Sequence, residues 1–211
     1  MQSNLFRVYD GANFERLPAA ALNPGLENAR PMERTKTYRY CPQCGAPLQL
    51  ANLKPGDPPR LHCGACRFVL YLDPKIAACA IVRVAGRIVL LQRAIPPAYG
   101  RWVIPGGFVD AGEPVPQAAA REVWEEVRLR VAIGPLVGVY SYPQVTTVVV
   151  VYQAAVIGGR LQAADEALDA RLFAPEEIPW QDLAFSSTRD ALRDYLRARA
   201  GANPPHRPAI P

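Results

Sequence analysis

The stretch from Gly107 to Leu129 constrains the fold of this 211-residue chain more than any other. Apolar residues recur in it at spacings of three and four, which predicts a helix from Val115 to Val127. Three glutamates form a second stripe on this helix, at i, i+3 and i+4: Glu122, Glu125 and Glu126. Like charges at such spacings repel, at a cost of about 0.2–0.5 kcal/mol per pair on an open surface.

A divalent cation would turn this repulsion into binding energy. Carboxylate oxygens are the ligands of Mg²⁺ and Mn²⁺, and Mg²⁺ completes its shell with waters and substrate phosphates. Ahead of the helix, Gly107 and Gly112 allow a tight loop that returns Glu113 towards the helix start. Arg121 can then hold Glu113 through a two-pronged ion pair. A solvated acidic helix face is the alternative explanation.

The pattern from Gly107 to Leu129, which we call the acidic box, resembles the signature of Nudix hydrolases. The matching positions are Gly107, Glu113, Arg121, Glu122, Val123, Glu125, Glu126 and Leu129. One position departs, because Arg128 stands where the family has glycine. A residue near a helix C-terminus commonly takes the left-handed conformation, so an arginine there is expected to cost on the order of 1 kcal/mol or to change the exit of the chain.

The resemblance implies a fold. Nudix domains are α/β/α sandwiches of the α+β class, in which a mixed sheet lies between two helices. The order of elements that periodicity predicts here is strands, the acidic helix, more strands and a final helix, and it agrees with that architecture.

The resemblance also implies an activity, the hydrolysis of a nucleoside diphosphate derivative by attack of water on phosphorus. It implies that Mg²⁺ or Mn²⁺ is the cofactor, with Glu122, Glu125 and Glu126 as its ligands. Arg121 is a further catalytic candidate, and Gly107 and Glu113 support the site. Either Glu125 or Glu126, or an acid on a later loop, accepts the proton of the water. Glu166 is the later candidate, and an ordinary exposed loop acid is its alternative explanation.

Two Cys-x-x-Cys pairs separated by 18 residues precede the acidic box. The pairs are Cys41 with Cys44 and Cys63 with Cys66. This spacing is typical of a structural Zn²⁺ site, in which four thiolates complete a tetrahedron and leave no position open for chemistry. Gly45 and Gly64 suit the tight turns of the two knuckles. Disulfide pairing is the alternative, and a reducing compartment disfavours it.

Short strands predicted around the cysteines complete a zinc ribbon, at residues 37–40, 47–50 and 68–72. Ribbons of this kind bind nucleic acid in other proteins. Here the basic residues are scattered and no regular aromatic interleaving forms a stacking platform, so nucleic acid is an unlikely partner.

Composition divides the chain into four segments. Residues 1–36 contain three prolines and no sustained period, which predicts an extension. Residues 37–73 form the predicted ribbon, residues 74–200 the predicted hydrolase domain and residues 201–211 a predicted disordered tail. Met32 lies just before the first recognisable element, which makes it an alternative natural start.

Apolar and alternating runs predict six strands in the hydrolase domain, over Lys75–Val84, Arg87–Arg93, Trp102–Ile104, Leu129–Tyr140, Val145–Ile157 and Leu168–Phe173. The second run is apolar at successive positions, which predicts burial on both faces. Ser187 with Asp190 three residues later resembles a capping box, which predicts a helix from there to about Ala200.

The overall composition is compatible with an anionic small-molecule substrate. Half of the residues are hydrophobic, which is enough for a core, and the formal charge of +5 is too weak to argue for nucleic acid. No apolar run approaches the length of a membrane span, and the N-terminal residues lack a signal-peptide layout. We therefore expect a cytoplasmic protein with no membrane partner.

A zinc ribbon ahead of a Nudix domain resembles two groups of pyrophosphatases. The plant chloroplast group that acts on ADP-ribose and FAD is similar over most of residues 38–195, including the segments CPQCG, YLDPKIAACAIV and EALDARLFAPEEIPWQDLAFSS. The NADH pyrophosphatases carry a downstream motif that Ser141 to Gln144 does not reproduce. ADP-ribose or FAD is therefore the expected nucleotide substrate, and NADH is the alternative.

Three tyrosines are candidates for stacking on adenine or flavin, namely Tyr99, Tyr140 and Tyr142, and simple packing is the alternative for each. A homodimer is expected from its frequency among relatives. Two functions of another class stay open: an inactive nucleotide-sensing protein and a nucleic-acid-binding ribbon protein. The complete set of glutamates in the acidic box disfavours the inactive protein.

Overall fold

The computed structural model describes residues 7–9, 14–16 and 38–202. The chain forms two compact units, Met1–Leu72 and Asp73–Pro211. Within the predicted extension, Arg7–Tyr9 (β1) and Phe14–Arg16 (β2) pair as antiparallel strands. The described residues do not include the rest of that extension, with Met32, or residues 203–211 of the predicted tail. The extension, the alternative start at Met32 and the disordered tail therefore stay predictions.

The first unit contains a three-stranded antiparallel sheet around the cysteines. Its strands are Leu48–Ala51 (β3), Arg60–Cys63 (β4) and Val69–Leu70 (β5), in that spatial order. Strand β4 was not predicted, because four residues of mixed chemistry show no usable period. Of the strand predicted over residues 37–40, the described residues contribute one bridge, between Tyr40 and Pro47.

The second unit is built on one mixed sheet of seven strands. The strands are Lys75–Val84 (β6), Arg87–Arg93 (β7), Trp102–Val103 (β8), Gly106–Phe108 (β9), Leu129–Tyr140 (β10), Thr147–Gly159 (β11) and Ala167–Phe173 (β12). Their order is β10-β11-β6-β7-β12, with β8 on β7 and β9 on β6. Strands β11 and β6 are parallel, and the other pairs are antiparallel.

Two α-helices and a short 3-10 helix accompany this sheet in the described part of the second unit. The helices are Val115–Val127 (α1) and Ser186–Ala202 (α2), and the 3-10 turn is Pro175–Glu177. No helix among the described residues is long and apolar enough to cross a membrane.

The two helices pack in separate cores that strand β7 joins. Ile88 of β7 packs in one core with Leu192 of α2. The next residue, Val89, packs in the other core with Val123 of α1. Because successive side chains of a strand point to opposite faces, the helices lie on opposite faces of the sheet. The predicted α/β/α sandwich of the α+β class is thereby confirmed.

Strand β9 corrects one expectation, since the sequence analysis placed these residues in a loop. Two adjacent glycines leave no side-chain period to read, yet Gly107 pairs with Ala78 of β6. This pairing brings the front of the acidic box into the sheet. Gly158 and Gly159 also lie in a strand, because they continue β11 and pair with β10.

Helix α2 begins at Ser186, one residue before the predicted cap. Asp190, predicted to complete a capping box, instead accepts a hydrogen bond from the Tyr142 hydroxyl at 2.7 Å. The local pattern located the helix correctly, and a contact distant in sequence determined the partner of this carboxylate.

Candidate active site

Helix α1 holds the glutamates of the acidic box against the sheet. Val123 and Val127 are fully buried in the core between α1 and the sheet. Glu122 and Glu126 each precede one of these valines, so they lie along the edge of the buried stripe. The hydrophobic packing of the helix therefore fixes the direction of both carboxylates.

Glu126 is the most deeply buried acid of the box, with 7% of its surface exposed. Its Oε2 accepts a hydrogen bond from the Gly106 backbone N–H at 2.8 Å. Burial raises the pKa of Glu126 to about 8, and the nearby charges of Glu122 and Glu166 add to this shift. A carboxylate held in this way favours a cation as its neighbour.

Glu122 lies directly over strand β9. A Cβ atom at Gly107 would stand 2.5 Å from its carboxyl atoms, closer than any side chain tolerates. Glycine is therefore needed at position 107 for the approach of the carboxylate, whereas Gly112, with φ of 85°, provides the turn. Burial also raises the pKa of Glu122.

Arg121 is the centre of an ion-pair network in front of the helix. Its Nε and Nη2 donate to the two carboxylate oxygens of Glu113, each at 2.9 Å, which is the two-pronged pair expected from the sequence. Hydrogen bonds from Arg121 lower the pKa of Glu113. Nη2 also donates to the Phe108 carbonyl at 3.1 Å, which ties the network to β9.

The remaining terminal nitrogen of the Arg121 guanidinium donates hydrogen bonds to two further carboxylates. Its Nη1 donates to Glu122 Oε1 and to Glu125 Oε2, each at 2.9 Å. The Glu125 side chain is 45% exposed, so it is the most open carboxylate of the three. One guanidinium thus joins Glu122 and Glu125 and neutralises part of their charge, whereas the deeper Glu126 is held by the Gly106 N–H.

Glu166, the candidate on a later loop, lies near the acidic box. Its side chain is exposed, and its charge contributes to the raised pKa of both Glu122 and Glu126. Its carbonyl accepts a hydrogen bond from the Ala94 N–H at 2.7 Å, which fixes the loop to the end of β7. The structure therefore brings Glu166 towards the glutamates of α1.

Arg128 takes the left-handed conformation of the glycine that it replaces, with φ of 56° and ψ of 25°. Its N–H donates to the Trp124 carbonyl at 3.1 Å and closes the last turn of α1. Two outcomes were expected for arginine at this position, a strained residue or a changed exit of the chain. The chain keeps the left-handed exit from the helix, so the first outcome applies. The strain of the left-handed residue is the cost.

The three candidate tyrosines lie in different settings. Tyr99 is exposed on the loop after β7. The hydroxyl of Tyr140 donates to Asp194 at 3.1 Å, as that of Tyr142 does to Asp190, so both tyrosines are tied to α2. They line a cavity of about 390 Å³, whose lining contains none of the glutamates of the acidic box.

Arg93 is a residue of the site that the sequence analysis missed. Its positive charge opposes the rise in the pKa of Glu126. Its Nε donates a hydrogen bond to the Pro97 carbonyl at 2.9 Å, and its guanidinium lies 5.0 Å from the centre of the Phe185 ring. It is the last residue of a buried strand, and a basic residue at such a strand end is the one signal that could have identified it.

The four cysteines of the first unit form a compact cluster. Their sulfurs all lie within 4.8 Å of one another, with 3.6 Å between Cys41 and Cys66 and 3.5 Å between Cys44 and Cys63. They form no disulfide, and the N–H of Cys66 lowers the pKa of Cys63 to about 7. A set of four sulfurs this close fits a tetrahedral Zn²⁺.

Two similar turns build this cluster. In the first, Gly45 with φ of 75° donates its N–H to the Cys41 carbonyl at 2.9 Å. In the second, Arg67 with φ of 64° donates to the Cys63 carbonyl at 2.9 Å. The sequence had suggested Gly64 for the turn of the second knuckle. The residue with the left-handed conformation is instead Arg67.

A mixed sheet between two helices, with carboxylates along one of them, is the arrangement found in hydrolases that use divalent cations. Two family models match this chain, described as "NUDIX domain" over residues 73–195 and "Nudix N-terminal" over residues 39–72. The chain belongs to the Nudix family and is a Nudix hydrolase preceded by a Nudix zinc ribbon.

Individual relatives agree with this assignment. An "ADP-ribose pyrophosphatase" from Methanocaldococcus jannaschii is 36% identical over 64% of this chain and 80% of that protein. A "NAD-capped RNA hydrolase NudC" from Pseudomonas aeruginosa is 32% identical over 79% of this chain, which spans 59% of that relative. The crystal structure of a Nudix hydrolase from Nitrosomonas europaea is 35% identical, covers 78% of this chain and 93% of its own, and superposes with a TM-score of 0.74.

Proposed function

We propose that this Nudix hydrolase cleaves the diphosphate of ADP-ribose or FAD, with Mg²⁺ or Mn²⁺ bound by Glu122, Glu125 and Glu126. The observation that carries the proposal is the convergence of Glu122 and Glu126 on strand β9, where burial raises the pKa of both. The name of the archaeal relative supports ADP-ribose. The choice of FAD as a substrate rests on the sequence resemblance to the plant chloroplast group. That resemblance stays a prediction.

The residues of the acidic box have distinct tasks in this proposal. A cation bound there neutralises the diphosphate and lowers the pKa of the attacking water. The Gly106 N–H holds Glu126 in one orientation. Arg121 orients Glu122 and Glu125 and joins them, through Glu113, to the loop in front of the helix. A set of carboxylates fixed in advance loses little entropy when it binds cation and substrate.

We assign the proton transfer to Glu166. An exposed carboxylate near Glu122 and Glu126 can take the proton of the attacking water on its Oε atoms while the box glutamates bind the cation. We expect Glu166→Gln to lower kcat about 10²-fold or more without changing KM by a comparable factor. A kcat equal to that of the unaltered enzyme would remove Glu166 from the mechanism and leave Glu125 or Glu126 as the candidate.

A diphosphate of the NAD type is the second candidate substrate. The match to the Pseudomonas relative covers 79% of this chain, and the match to the archaeal one covers 64%. Hydrolysis of NADH releases AMP and a nicotinamide mononucleotide, whereas ADP-ribose gives AMP and ribose 5-phosphate, and FAD gives AMP and FMN. A product analysis therefore separates the three reactions.

The test is a hydrolysis panel with Mg²⁺ or Mn²⁺ over ADP-ribose, FAD, NADH and coenzyme A. We expect ADP-ribose or FAD to have the highest kcat/KM. A preference for NADH by tenfold or more would replace the proposed substrate, and no turnover of any compound by the unaltered protein would defeat the proposal.

The remaining parts of the proposal concern the rest of the chain. We propose that Cys41, Cys44, Cys63 and Cys66 hold one structural Zn²⁺. The cytoplasmic location and the homodimer stay predictions, which cell fractionation and light scattering can test.

A further inference from the structure

The loop that joins β11 to β12 is bonded to the C-terminal end of helix α1. A helix leaves its last carbonyls without partners inside the helix. Here the Gln162 N–H donates to the Val127 carbonyl at 3.1 Å, and the Ala164 N–H donates to the Glu126 carbonyl at 3.0 Å. The loop that carries Glu166 is therefore attached to the helix that carries the glutamates of the acidic box.

Arg128 adds a side-chain tie to these backbone bonds. Its Nη2 donates to both carboxylate oxygens of Asp165, at 3.2 and 3.0 Å. Its Nη1 donates to the Trp124 carbonyl at 3.4 Å, and its guanidinium lies 5.8 Å from the centre of the Trp124 ring. The side chain thus lies back along α1 and reaches the loop from there.

Both ends of this ion pair have left-handed backbone conformations. The φ angles are 56° for Arg128 and 44° for Asp165, values that residues with a Cβ rarely adopt. Asp165 immediately precedes Glu166, so its φ and ψ determine where the Glu166 side chain points. Glu166 comes two residues after Ala164, whose N–H donates to the Glu126 carbonyl at 3.0 Å, so the loop holds Glu166 beside α1. Its charge acts on Glu122 and Glu126, and like charges repel.

We propose that the ion pair between Arg128 and Asp165 is a positioning device that holds the Glu166 carboxylate towards the acidic box. This inference rests on the proposed role of Glu166. It also gives a reason for arginine at a position where glycine would be less strained, since a glycine has no side chain to reach the loop.

The test begins with Arg128→Gly, measured on the best substrate of the panel. Glycine relieves the left-handed strain, so we expect Tm to stay the same or rise. We expect kcat to fall about two- to fivefold, the range that corresponds to an exposed ion pair, while KM changes less than twofold. A loss of catalysis without a loss of stability separates positioning from a merely structural role.

Asp165→Asn tests the partner, because asparagine tolerates the left-handed conformation but lacks the charge. We expect the same fall in kcat, and no further fall in the double variant, because both changes break one interaction. The exchange Arg128→Asp with Asp165→Arg restores opposite charges and should regain part of the lost kcat. Arg130→Ala is the matched control, since Arg130 also lies over the Trp124 ring, at 5.2 Å.

The outcomes separate this inference from the proposed function. If Glu166→Gln lowers kcat but Arg128→Gly does not, the positioning role is overturned and the proposed function stands. If the losses from Arg128→Gly and Asp165→Asn multiply in the double variant, the two residues act independently and the inference is also overturned. If Glu166→Gln leaves kcat unchanged, the positioning role fails together with the proposed role of Glu166, whereas the proposed diphosphate hydrolysis stands or falls with the substrate panel.

Discussion

Two groups of candidate metal ligands within residues 38–202 are built in opposite ways. The four cysteine sulfurs all lie within 4.8 Å of one another, and four thiolates complete the shell of a Zn²⁺ without any other group. The box carboxylates lie at different depths, and Arg121 occupies the space between Glu122 and Glu125. A closed set of soft ligands suits an ion that only stabilises the fold, whereas an open set of carboxylates suits an ion that exchanges and shares its shell with substrate.

The largest expected effect concerns the closed cluster. Structural zinc contributes about 10–16 kcal/mol to the folding of small zinc domains, so Cys63→Ser should unfold the ribbon and lower the zinc content from about one per chain to near none. Metal analysis and limited proteolysis measure both changes. The control is Cys79→Ser, in a buried position of the second unit, which should keep its zinc. A Cys63→Ser protein that keeps a full complement of zinc would contradict the closed site.

The next effect concerns the open cluster. Glu126→Gln keeps the shape of the side chain but cannot supply an anionic oxygen to a cation, so we expect kcat to fall about 10²–10³-fold with zinc content unchanged. Steady-state kinetics and metal analysis on the same sample measure this. Glu176→Gln, at an exposed acid of the 3-10 helix, is the control and should keep its activity. If Glu126→Gln keeps a kcat within threefold of the unaltered enzyme, the carboxylate cluster is not the catalytic counterpart of the cysteine cluster.

The smallest effect concerns the cation that compensates the open cluster. Arg121→Lys keeps the charge but loses the two-pronged bond to Glu113, and we expect a loss of about 1–2 kcal/mol in the free energy of unfolding. Chemical denaturation measures it. The control is Arg101→Lys, whose ion pair with Asp182 is exposed on both sides and should change stability by less than about 0.5 kcal/mol. Equal losses of unfolding free energy in the two variants would show that the Arg121 network stabilises the fold no more than an exposed ion pair does.

The sequence predicted the parts of the fold in which periodicity is strong. Strands β6, β7 and β10 and helix α1 have the expected bounds, because long apolar or alternating runs left little choice. The Arg121 bond to Glu113 was also predicted, since both residues lie within one short loop and helix. What could be predicted was therefore local in sequence.

The parts that could not be predicted depend on contacts between distant residues. Strand β9 consists largely of glycine, and its pairing with β6 is visible only once the sheet is formed. The tie between Arg128 and Asp165 joins residues 37 positions apart, and nothing near either residue indicates the other. The pattern showed that arginine departs from glycine at position 128, but only the folded chain shows what its side chain contacts.

The most direct test of the account measures turnover and zinc in the same sample. The protein is dialysed to remove exchangeable cations, assayed with ADP-ribose and FAD, and assayed again after addition of Mg²⁺ or Mn²⁺. The account predicts no turnover before the addition, release of AMP after it, and about one zinc per chain throughout. Turnover that follows the zinc content and ignores the added cation would contradict it.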